Sequence, residues 1–170
     1  MEFLPITYAE DDRVQEIYNS YISTFPVNEQ RDKDQFLDLF SNPLVDFMSV
    51  VHEEEPIGYL IVWKMSSFVF VEHFEVFEAF RSKKLGSHIV SHLTENYPKV
   101  ILEIEPADLS EDAARRYSFY QRNNFSLIDT AHIQPSYGEG KQSLHLWLLA
   151  NYAPDDVEEL KKEICDIVYP

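Results

Sequence analysis

The chain has 170 residues, of which 45% are hydrophobic and 14% aromatic, and it carries 30 acidic against 14 basic side chains. This length suits one compact domain with a core of its own, and a net charge of −16 repels phosphate backbones, so nucleic acid is not an expected partner. The acidity favours cationic partners such as amines, although the same charge also simply keeps a protein soluble.

Several classes of protein are excluded by what the sequence lacks. Cys165 is the one cysteine, so no internal disulfide bond can form, and no group of Cys and His residues has the spacing of a zinc site. The first residues lack the basic and apolar regions of a secretory signal. No apolar stretch is long enough to cross a membrane. The sequence therefore predicts a cytoplasmic protein without a metal site.

The first half of the chain predicts one strand, two helices and then three strands. The first helix repeats apolar residues at i, i+3, i+4 and i+7 and stops at Pro26. The three strands are joined by turns so short that they favour antiparallel pairing. The predicted elements are a strand at 3–6, helices at 10–25 and 31–40, and strands at 47–52, 57–64 and 68–77.

The second half predicts alternating helices and strands. Two carboxylates, Glu103 and Glu105, alternate to one side of a strand and are expected to face solvent. Pro154 is predicted in the first turn of an amphipathic closing helix, and Asn123-Asn124 as a left-handed helix end. The predicted elements are a helix at 85–96, a helix capped by Ser110 or Asp112 that runs to about 122, strands at 99–105, 127–133 and 143–149, and the closing helix.

These elements predict a mixed α/β (α+β) fold with about seven mostly antiparallel strands flanked by helices. The predicted organisation is one domain at 1–152 and a C-terminal amphipathic helix at 153–170, packed on the domain or on a partner. If the partner is a second copy of the chain, this amphipathic helix would form a homodimer.

The stretch 68–87 combines a strand, a basic turn and the start of a helix. Its first ten residues are apolar and aromatic with strong strand preference. The turn contains Arg81, Lys83 and Lys84, and a helix follows directly. Free amides and the positive end of a helix dipole can bind phosphate at such a point. A solvated basic turn is the alternative interpretation.

The turn resembles the acetyl-CoA-binding motif of the GNAT superfamily of N-acetyltransferases, R/Q-x-x-G-x-G/A. Here it is Arg81-Ser-Lys-Lys-Leu-Gly86, with Lys84 in place of the first glycine. The stretch 119–125, Phe-Tyr-Gln-Arg-Asn-Asn-Phe, is similar to the family's F-Y-x-x-x-G-F segment, with Asn124 in place of glycine. The order of predicted elements over residues 1–150 also resembles that of the family, so a GNAT fold is expected.

The resemblance implies acetyl-CoA as co-substrate and assigns its contacts. The amides of the turn would hold the pyrophosphate, and the end of the preceding strand would pair with the pantetheine arm through its backbone. Lys84 places a side chain where glycine would allow close approach, or else reaches a phosphate itself. The cofactor-binding residues implied are Phe74, Val76, Phe77, Arg81, Ser82, Lys83, Lys84, Leu85, Gly86 and Ser87.

Acetyl transfer to an amine requires a base for the amine proton and an acid for the thiolate. Tyr120 matches the family's usual acid. Glu72 is the first candidate for the base, and Glu103, acting directly or through a water molecule, is the second. His73 has a suitable intrinsic pKa, but strand alternation turns it away from Glu72 unless a bulge intervenes, as the resemblance suggests. Tyr137 lies in a glycine-rich loop that either covers the acceptor or forms a plain hairpin.

The function expected from the sequence is N-acetyl transfer from acetyl-CoA to a primary amine of a small molecule or peptide, by direct attack. A non-catalytic acyl-CoA-binding or regulatory module with the same fold is the alternative, because two motif glycines are replaced. An interaction domain without any ligand is the third interpretation.

Overall fold

A computed structural model describes residues 1–169, and within them seven strands form one sheet in the order β1-β2-β3-β4-β5-β7-β6. Five α-helices accompany the strands in this part of the chain. The strands are β1 (Glu2–Pro5), β2 (Val45–His52), β3 (Glu55–Lys64), β4 (Val69–Val76), β5 (Val100–Ile104), β6 (Ser126–Gln134) and β7 (Leu144–Ala150). The helices are α1 (Asp12–Thr24), α2 (Lys33–Asp38), α3 (Leu85–Asn96), α4 (Glu111–Arg122) and α5 (Val157–Val168). The expected mixed fold is confirmed.

Side-chain caps decide where four of the helices begin. Asp11, Ser110 and Asp156 each accept a hydrogen bond from a backbone amide in the first turn of α1, α4 and α5. Asp32 and Gln35 form a reciprocal capping box at α2. The prediction for Pro154 was wrong, because α5 begins at Val157 after the cap at Asp156, so the proline precedes the helix.

The sheet opens between its two central strands. All neighbouring strands pair antiparallel except β4 and β5, which pair parallel only over Val69–Val71 and Val100–Leu102. Beyond these residues the two strands no longer pair with one another, although β4 continues to Val76. A wedge-shaped opening therefore forms in the middle of the sheet, with backbone groups of β4 along one side.

The core lies in two layers, one on each side of the sheet. One cluster contains buried residues of α1, α2 and α5, and the other those of α3 together with Tyr120 of α4. Leu160, Ile164 and Val168 place the apolar side of α5 in the first cluster, on its own domain. Pro170, the last residue of the predicted C-terminal segment, lies outside the described residues.

The end of α5 also covers part of β5. Glu103 was expected to face solvent, but its side chain is only 8% exposed. The side of the strand on which Glu103 lies was predicted correctly, but the prediction that this side faces solvent was wrong. The residue after α5, Tyr169, packs over it and contacts Glu103. Over residues 1–169, none of the helices has the length and apolar character needed to span a membrane.

Candidate active site

Two cavities meet at the opening between β4 and β5. One, of about 710 Å³, lies along the start of α3, and the other, of about 470 Å³, lies toward α1 and the loop after β6. Phe74, Arg116 and Tyr120 line both of them. A ligand lying along β4 can therefore extend from one cavity into the other past the Tyr120 side chain.

The larger cavity has the features expected of a cofactor site. It is lined by the end of β4 and by the turn before α3, so backbone amides at a helix N-terminus border it. It has an apolar side, formed by Phe80 and Phe119, and a cationic one. The predicted residues that line it are Phe74, Val76, Arg81, Ser82, Lys84, Leu85, Gly86 and Ser87. The residues that line it without having been predicted to bind the cofactor are Phe80, His88, Arg116, Phe119 and Arg122.

Two residues predicted to bind the cofactor lie elsewhere. Phe77 packs against the first core cluster, with its ring 6.2 Å from that of Tyr59, and does not line the larger cavity. The ammonium group of Lys83 lies 5.0 Å from the centre of the Phe80 ring. Lys83 is not among the residues that border the cavity, so its charge reaches a ligand there only over a longer distance.

The backbone of the turn takes the conformation that glycine favours, without glycine. Ser82 has φ of 64° and Lys84, the N-cap of α3, has φ of 62°. Asn124, in the second motif position without glycine, has φ of 66°. Left-handed backbone costs a residue with a side chain about 1 kcal/mol. Lys84 and Asn124 therefore keep the backbone conformation of the glycines that they replace, and Lys84 also adds a positive charge to the turn.

The second cavity is acidic. Three arginines line it, of which Arg116 pairs with Glu105 at 2.9 Å and Arg81 with Glu75 at 3.5 Å. Arg115 pairs with Asp112. Six carboxylates outnumber these cations around the cavity: Glu29, Glu72, Glu75, Glu103, Glu105 and Asp112.

Glu72 is the most enclosed of these carboxylates, with a side chain only 1% exposed. Its Oε1 accepts hydrogen bonds from Arg31 Nε at 2.8 Å and Tyr137 Oη at 2.7 Å, and its Oε2 accepts one from Trp63 Nε1 at 2.6 Å. Burial by itself raises the pKa of Glu72, but the Arg31 guanidinium and the donated hydrogen bonds bring that pKa below its usual value. Such a carboxylate is a weak base.

A bulge in β4 brings Glu72 and His73 to the same region. Ile61 pairs with His73 and Val62 with Val71, which leaves Glu72 without a partner in the ladder. His73 Nε2 consequently lies 3.7 Å from Glu72 Oε1. Burial lowers the pKa of His73 to about 4, so the ring is neutral near pH 7.

Glu103 stands on the opposite side of the opening, one residue beyond the last pair between β4 and β5. His132 Nε2 lies 2.6 Å from its Oε1, and the Tyr169 hydroxyl donates to its Oε2 at 2.6 Å. A carboxylate has about four lone-pair positions. With two donors rather than three, Glu103 keeps more capacity than Glu72 to accept a further hydrogen bond from a ligand or a water molecule.

Tyr120 and Tyr137 both border the acidic cavity, but only the hydroxyl of Tyr137 is engaged by another side chain of the described residues. Tyr120 is 8% exposed and lies where the cavities join. Burial raises its pKa to about 12, so the phenol carries its proton near pH 7. Tyr137 also lines the acidic cavity, but its hydroxyl is held by Glu72 and its backbone carbonyl accepts a hydrogen bond from Gln35 at 2.8 Å. The loop that carries Tyr137 is therefore tied to both β4 and α2.

The sequence did not indicate Glu29, Arg31, His132 or Tyr169 as site residues. Glu29 lies in a short 3-10 turn after α1 and borders the acidic cavity. Burial, and next the charge of Glu105, raise the pKa of Glu29 to about 7 despite the opposing effect of Arg116. Glu29 is one of 30 acidic residues, and no local pattern separates it from the others.

We expect Glu29→Gln to stabilise the protein at pH 8 and to have little effect at pH 5. The folded-state pKa of Glu29, about 7, lies above its ordinary value of 4.5. Stability is therefore lost as pH rises from about 4.5 to 7, where the folded protein resists losing the proton. The shift corresponds to at most about 3 kcal/mol, and partial exposure of the side chain reduces it to about 1–2 kcal/mol.

Urea denaturation at both pH values measures this difference. Glu54→Gln, at an exposed turn, is the matched control and is expected to change the free energy of unfolding equally at both. A Glu29→Gln effect of the same size at pH 5 and pH 8 would contradict the raised pKa.

Comparisons with known proteins identify the family. A model of the "Acetyltransferase (GNAT) family" matches residues 14–125. A protein from Bacteroides thetaiotaomicron assigned to the GNAT family of acetyltransferases superposes with a TM-score of 0.92 and 28% identity, covering 99% of this chain and 98% of that one. No curated protein matches the sequence at a significant level.

More distant structures share the fold alone. An aminoglycoside 6′-N-acetyltransferase complexed with coenzyme A superposes with a TM-score of 0.63 at 13% identity, covering 92% of this chain and 100% of that one. A chimera of spermidine N-acetyltransferase from Vibrio cholerae and hSSAT superposes with a TM-score of 0.65 at 9% identity, covering 88% of this chain and 94% of that one.

The family model matches well over half of this chain. The chain therefore belongs to the acetyltransferase (GNAT) family, whose members are acyltransferases that use acetyl-CoA as co-substrate.

Proposed function

We propose that the protein transfers the acetyl group of acetyl-CoA to a primary amine of a cationic small molecule or a basic peptide. The observation that carries this proposal is the position of Tyr120. Its buried phenol lies where a cavity bordered by helix-terminal amides and basic side chains meets a cavity bordered by carboxylates. A thioester placed past Tyr120 would have its carbonyl carbon at the junction, with the amine approaching from the acidic side.

The cofactor would lie in the larger cavity. Its pyrophosphate would rest on the amides at the start of α3, near the cations of Lys84 and Arg122. The pantetheine arm would pair with backbone groups of β4 that β5 leaves free beyond Val71. Arg81 supports this strand end, because its Nε donates to the carbonyl oxygen of Val76 at 2.9 Å.

In the reaction, the amine nitrogen attacks the thioester carbonyl carbon, the carbon–sulfur bond breaks, and the nitrogen loses a proton. We assign the acceptance of that proton to Glu103, directly or through a water molecule, since this carboxylate borders the opening and retains free lone pairs. Tyr120 would give its proton to the departing thiolate and regain one from solvent. A correctly placed acid or base accelerates such a step by about 100-fold or more.

Glu72 stays the alternative base. Its position at the bulge places it next to the strand end proposed for the pantetheine. For proton transfer from the amine, however, its three hydrogen bonds leave only about one of its four lone-pair positions free, and its side chain is only 1% exposed. Its contacts favour a role in holding the α1–α2 connection and the loop after β6 on the sheet.

The excess of carboxylates supports a cationic acceptor. Of the six, Glu29 and Glu103 form no ion pair with a lysine or arginine of the described residues, and Glu29 has the raised pKa that a nearby ammonium group would reverse. Two structures with the same fold are named for polycationic acceptors, spermidine and an aminoglycoside. We infer that the preferred acceptor carries a second positive charge in addition to the reacting amine.

The test is release of free thiol from acetyl-CoA across a panel of mono- and diamines and lysine-ended peptides. We expect turnover to be highest with a dication. Tyr120→Phe should lower kcat by about 100-fold and leave KM for acetyl-CoA within about twofold, because the ring and its packing remain. Tyr117→Phe, on the same helix but packed against Trp147, is the matched control and should keep full activity.

Each result separates the alternatives. Thermal stabilisation by acetyl-CoA without turnover on any amine would favour the non-catalytic acyl-CoA-binding module. An unchanged kcat in Tyr120→Phe would remove this tyrosine from the mechanism while leaving the activity itself established.

A further inference from the structure

The chain returns to the active site at its C-terminal end. After α5 the backbone carbonyl of Val168 accepts a hydrogen bond from Arg31 Nη2 at 2.6 Å, and Arg31 in turn holds Glu72. The next residue, Tyr169, is 7% exposed, with its ring centre 5.2 Å from that of Tyr137. The segment lies more than 40 residues beyond the range that the family model matches, 14–125. The segment therefore contributes to the site from outside the range that the family model matches.

Tyr169 contacts the carboxylate to which proton acceptance is assigned. Its hydroxyl donates to Glu103 Oε2 at 2.6 Å, while His132 Nε2 lies 2.6 Å from Oε1. The two groups approach from different elements, since His132 lies on β6 and Tyr169 follows α5. Holding both oxygens fixes the rotation of the carboxylate about its last bond.

This fixation matters because β5 has no strand partner on that side at Glu103. Pairing with β4 ends at Leu102, so the backbone of β4 does not restrict the side chain that points into the opening. Without outside contacts, a glutamate there would sample several rotamers. Misplacing a proton acceptor by about 1 Å costs as much as 100-fold in rate.

We propose that Tyr169, together with His132, positions Glu103 for proton acceptance, and that the C-terminal segment is for this reason part of the catalytic site. Tyr169 is a positioning residue, because it touches Glu103 rather than the substrate. The inference rests on the proposed function, which assigns the base role to Glu103.

The phenol is suited to this role. Burial, and next the charge of Glu103, keep the pKa of Tyr169 well above its ordinary value. The hydroxyl therefore retains its hydrogen and donates throughout the neutral range. The Cys165 thiol on α5 and the Glu29 carboxyl also lie close enough to Glu103 for its charge to influence them, but the two hydrogen bonds come from His132 and Tyr169.

A double-mutant cycle tests the proposal. We expect Tyr169→Phe to lower kcat about tenfold, with KM for acetyl-CoA within about twofold, because one hydrogen bond to a charged group is lost. Glu103→Gln should lower kcat about 100-fold. In the Glu103→Gln background, Tyr169→Phe should change kcat by less than about twofold, since the hydroxyl then has no base to position.

Tyr97→Phe is the matched control. It removes a tyrosine hydroxyl that donates to a carboxylate, Asp46 Oδ2 at 2.8 Å, away from both cavities. It should leave kcat unchanged, and thermal denaturation of each variant shows whether the fold is intact.

The outcomes distinguish the two levels of the proposal. If wild-type protein acetylates an amine and Glu103→Gln is impaired, but Tyr169→Phe has the same kcat as wild type, only the positioning role is overturned. An equal tenfold loss in both backgrounds would make the effect of Tyr169 structural, and would overturn it as well. If wild-type protein acetylates no amine, the proposed function is overturned, and the positioning role that rests on it is overturned as well.

Discussion

Glu72→Leu is expected to lower the free energy of unfolding by about 3–5 kcal/mol, because it leaves a buried guanidinium without its counter-charge. Arg31 is 7% exposed and lies between two aromatic rings, 5.4 Å from the centre of Trp63 and 5.0 Å from that of Tyr137. Its Nε donates to Glu72 at 2.8 Å. Urea denaturation near pH 7 measures the loss.

A double variant separates charge from packing. Arg31→Met with Glu72→Leu removes both charges and should recover part of the lost stability, since replacing a buried ion pair by apolar side chains is often nearly neutral. The interaction energy between the two sites is then the difference between the double variant and the sum of the single ones. Strictly additive effects would contradict a mutual dependence of the two charges.

Glu72→Gln distinguishes a structural role of Glu72, in which it holds neighbouring segments on the sheet, from a role as the catalytic base. The amide keeps the shape but loses the charge, so we expect a measurable loss of stability and a kcat, per folded molecule, within about fivefold of wild type. A 100-fold lower kcat with unchanged stability would restore Glu72 as the base in place of Glu103. The two carboxylates that the sequence pointed to are therefore distinguishable by one pair of measurements.

Gly58→Ala, which adds a single methyl group in the middle of the sheet, is expected to lower the free energy of unfolding strongly. A Cβ at Gly58 would lie 2.0 Å from the carbonyl oxygen of Glu75 and 3.1 Å from Cα of Val76, both backbone atoms of β4. Since backbone in the middle of a sheet cannot yield as a side chain can, β3 and β4 must separate locally. We expect a loss of more than about 3 kcal/mol in the free energy of unfolding.

The same substitution should weaken acetyl-CoA binding, because Glu75 and Val76 form the strand end proposed to pair with the cofactor. Isothermal titration with coenzyme A is expected to give at least a tenfold higher Kd. Gly140→Ala is the comparison, since a Cβ there meets no heavy atom within 4 Å and only the positive φ of 79° opposes it. A loss at Gly58 no larger than the roughly 1 kcal/mol expected at Gly140 would contradict the close strand contact.

Local patterns were sufficient for most of the fold. Periods of two and of about 3.6 residues placed the strands and helices, and Asn124 takes the predicted left-handed backbone. The resemblance supplied the cofactor turn and Tyr120, because both belong to short motifs. The start of α5 was misplaced since a capping aspartate, Asp156, outweighed the preference of Pro154 for a first turn.

The electrostatics of the site could not be read from sequence. The three donors to Glu72 come from positions 31, 63 and 137, on three different segments of the chain. The contacts of Glu103 likewise join β5 to β6 and to the residue after α5. The number of donors that each carboxylate receives, three for Glu72 and two for Glu103, depends on tertiary packing. Sequence spacing shows only that both carboxylates lie near the opening.

The separation of β4 from β5 beyond Val71 has a consequence for how the protein persists in a cell. On the proposed placement, the pantetheine arm supplies the backbone partner that β5 does not, so the occupied protein has a more complete sheet than the empty one. Ligand that binds only the folded state adds about 1.4 kcal/mol of stability for each tenfold rise in its concentration above Kd. The population open to proteases would then fall as acetyl-CoA accumulates, and the lifetime of the enzyme would follow the supply of its own substrate.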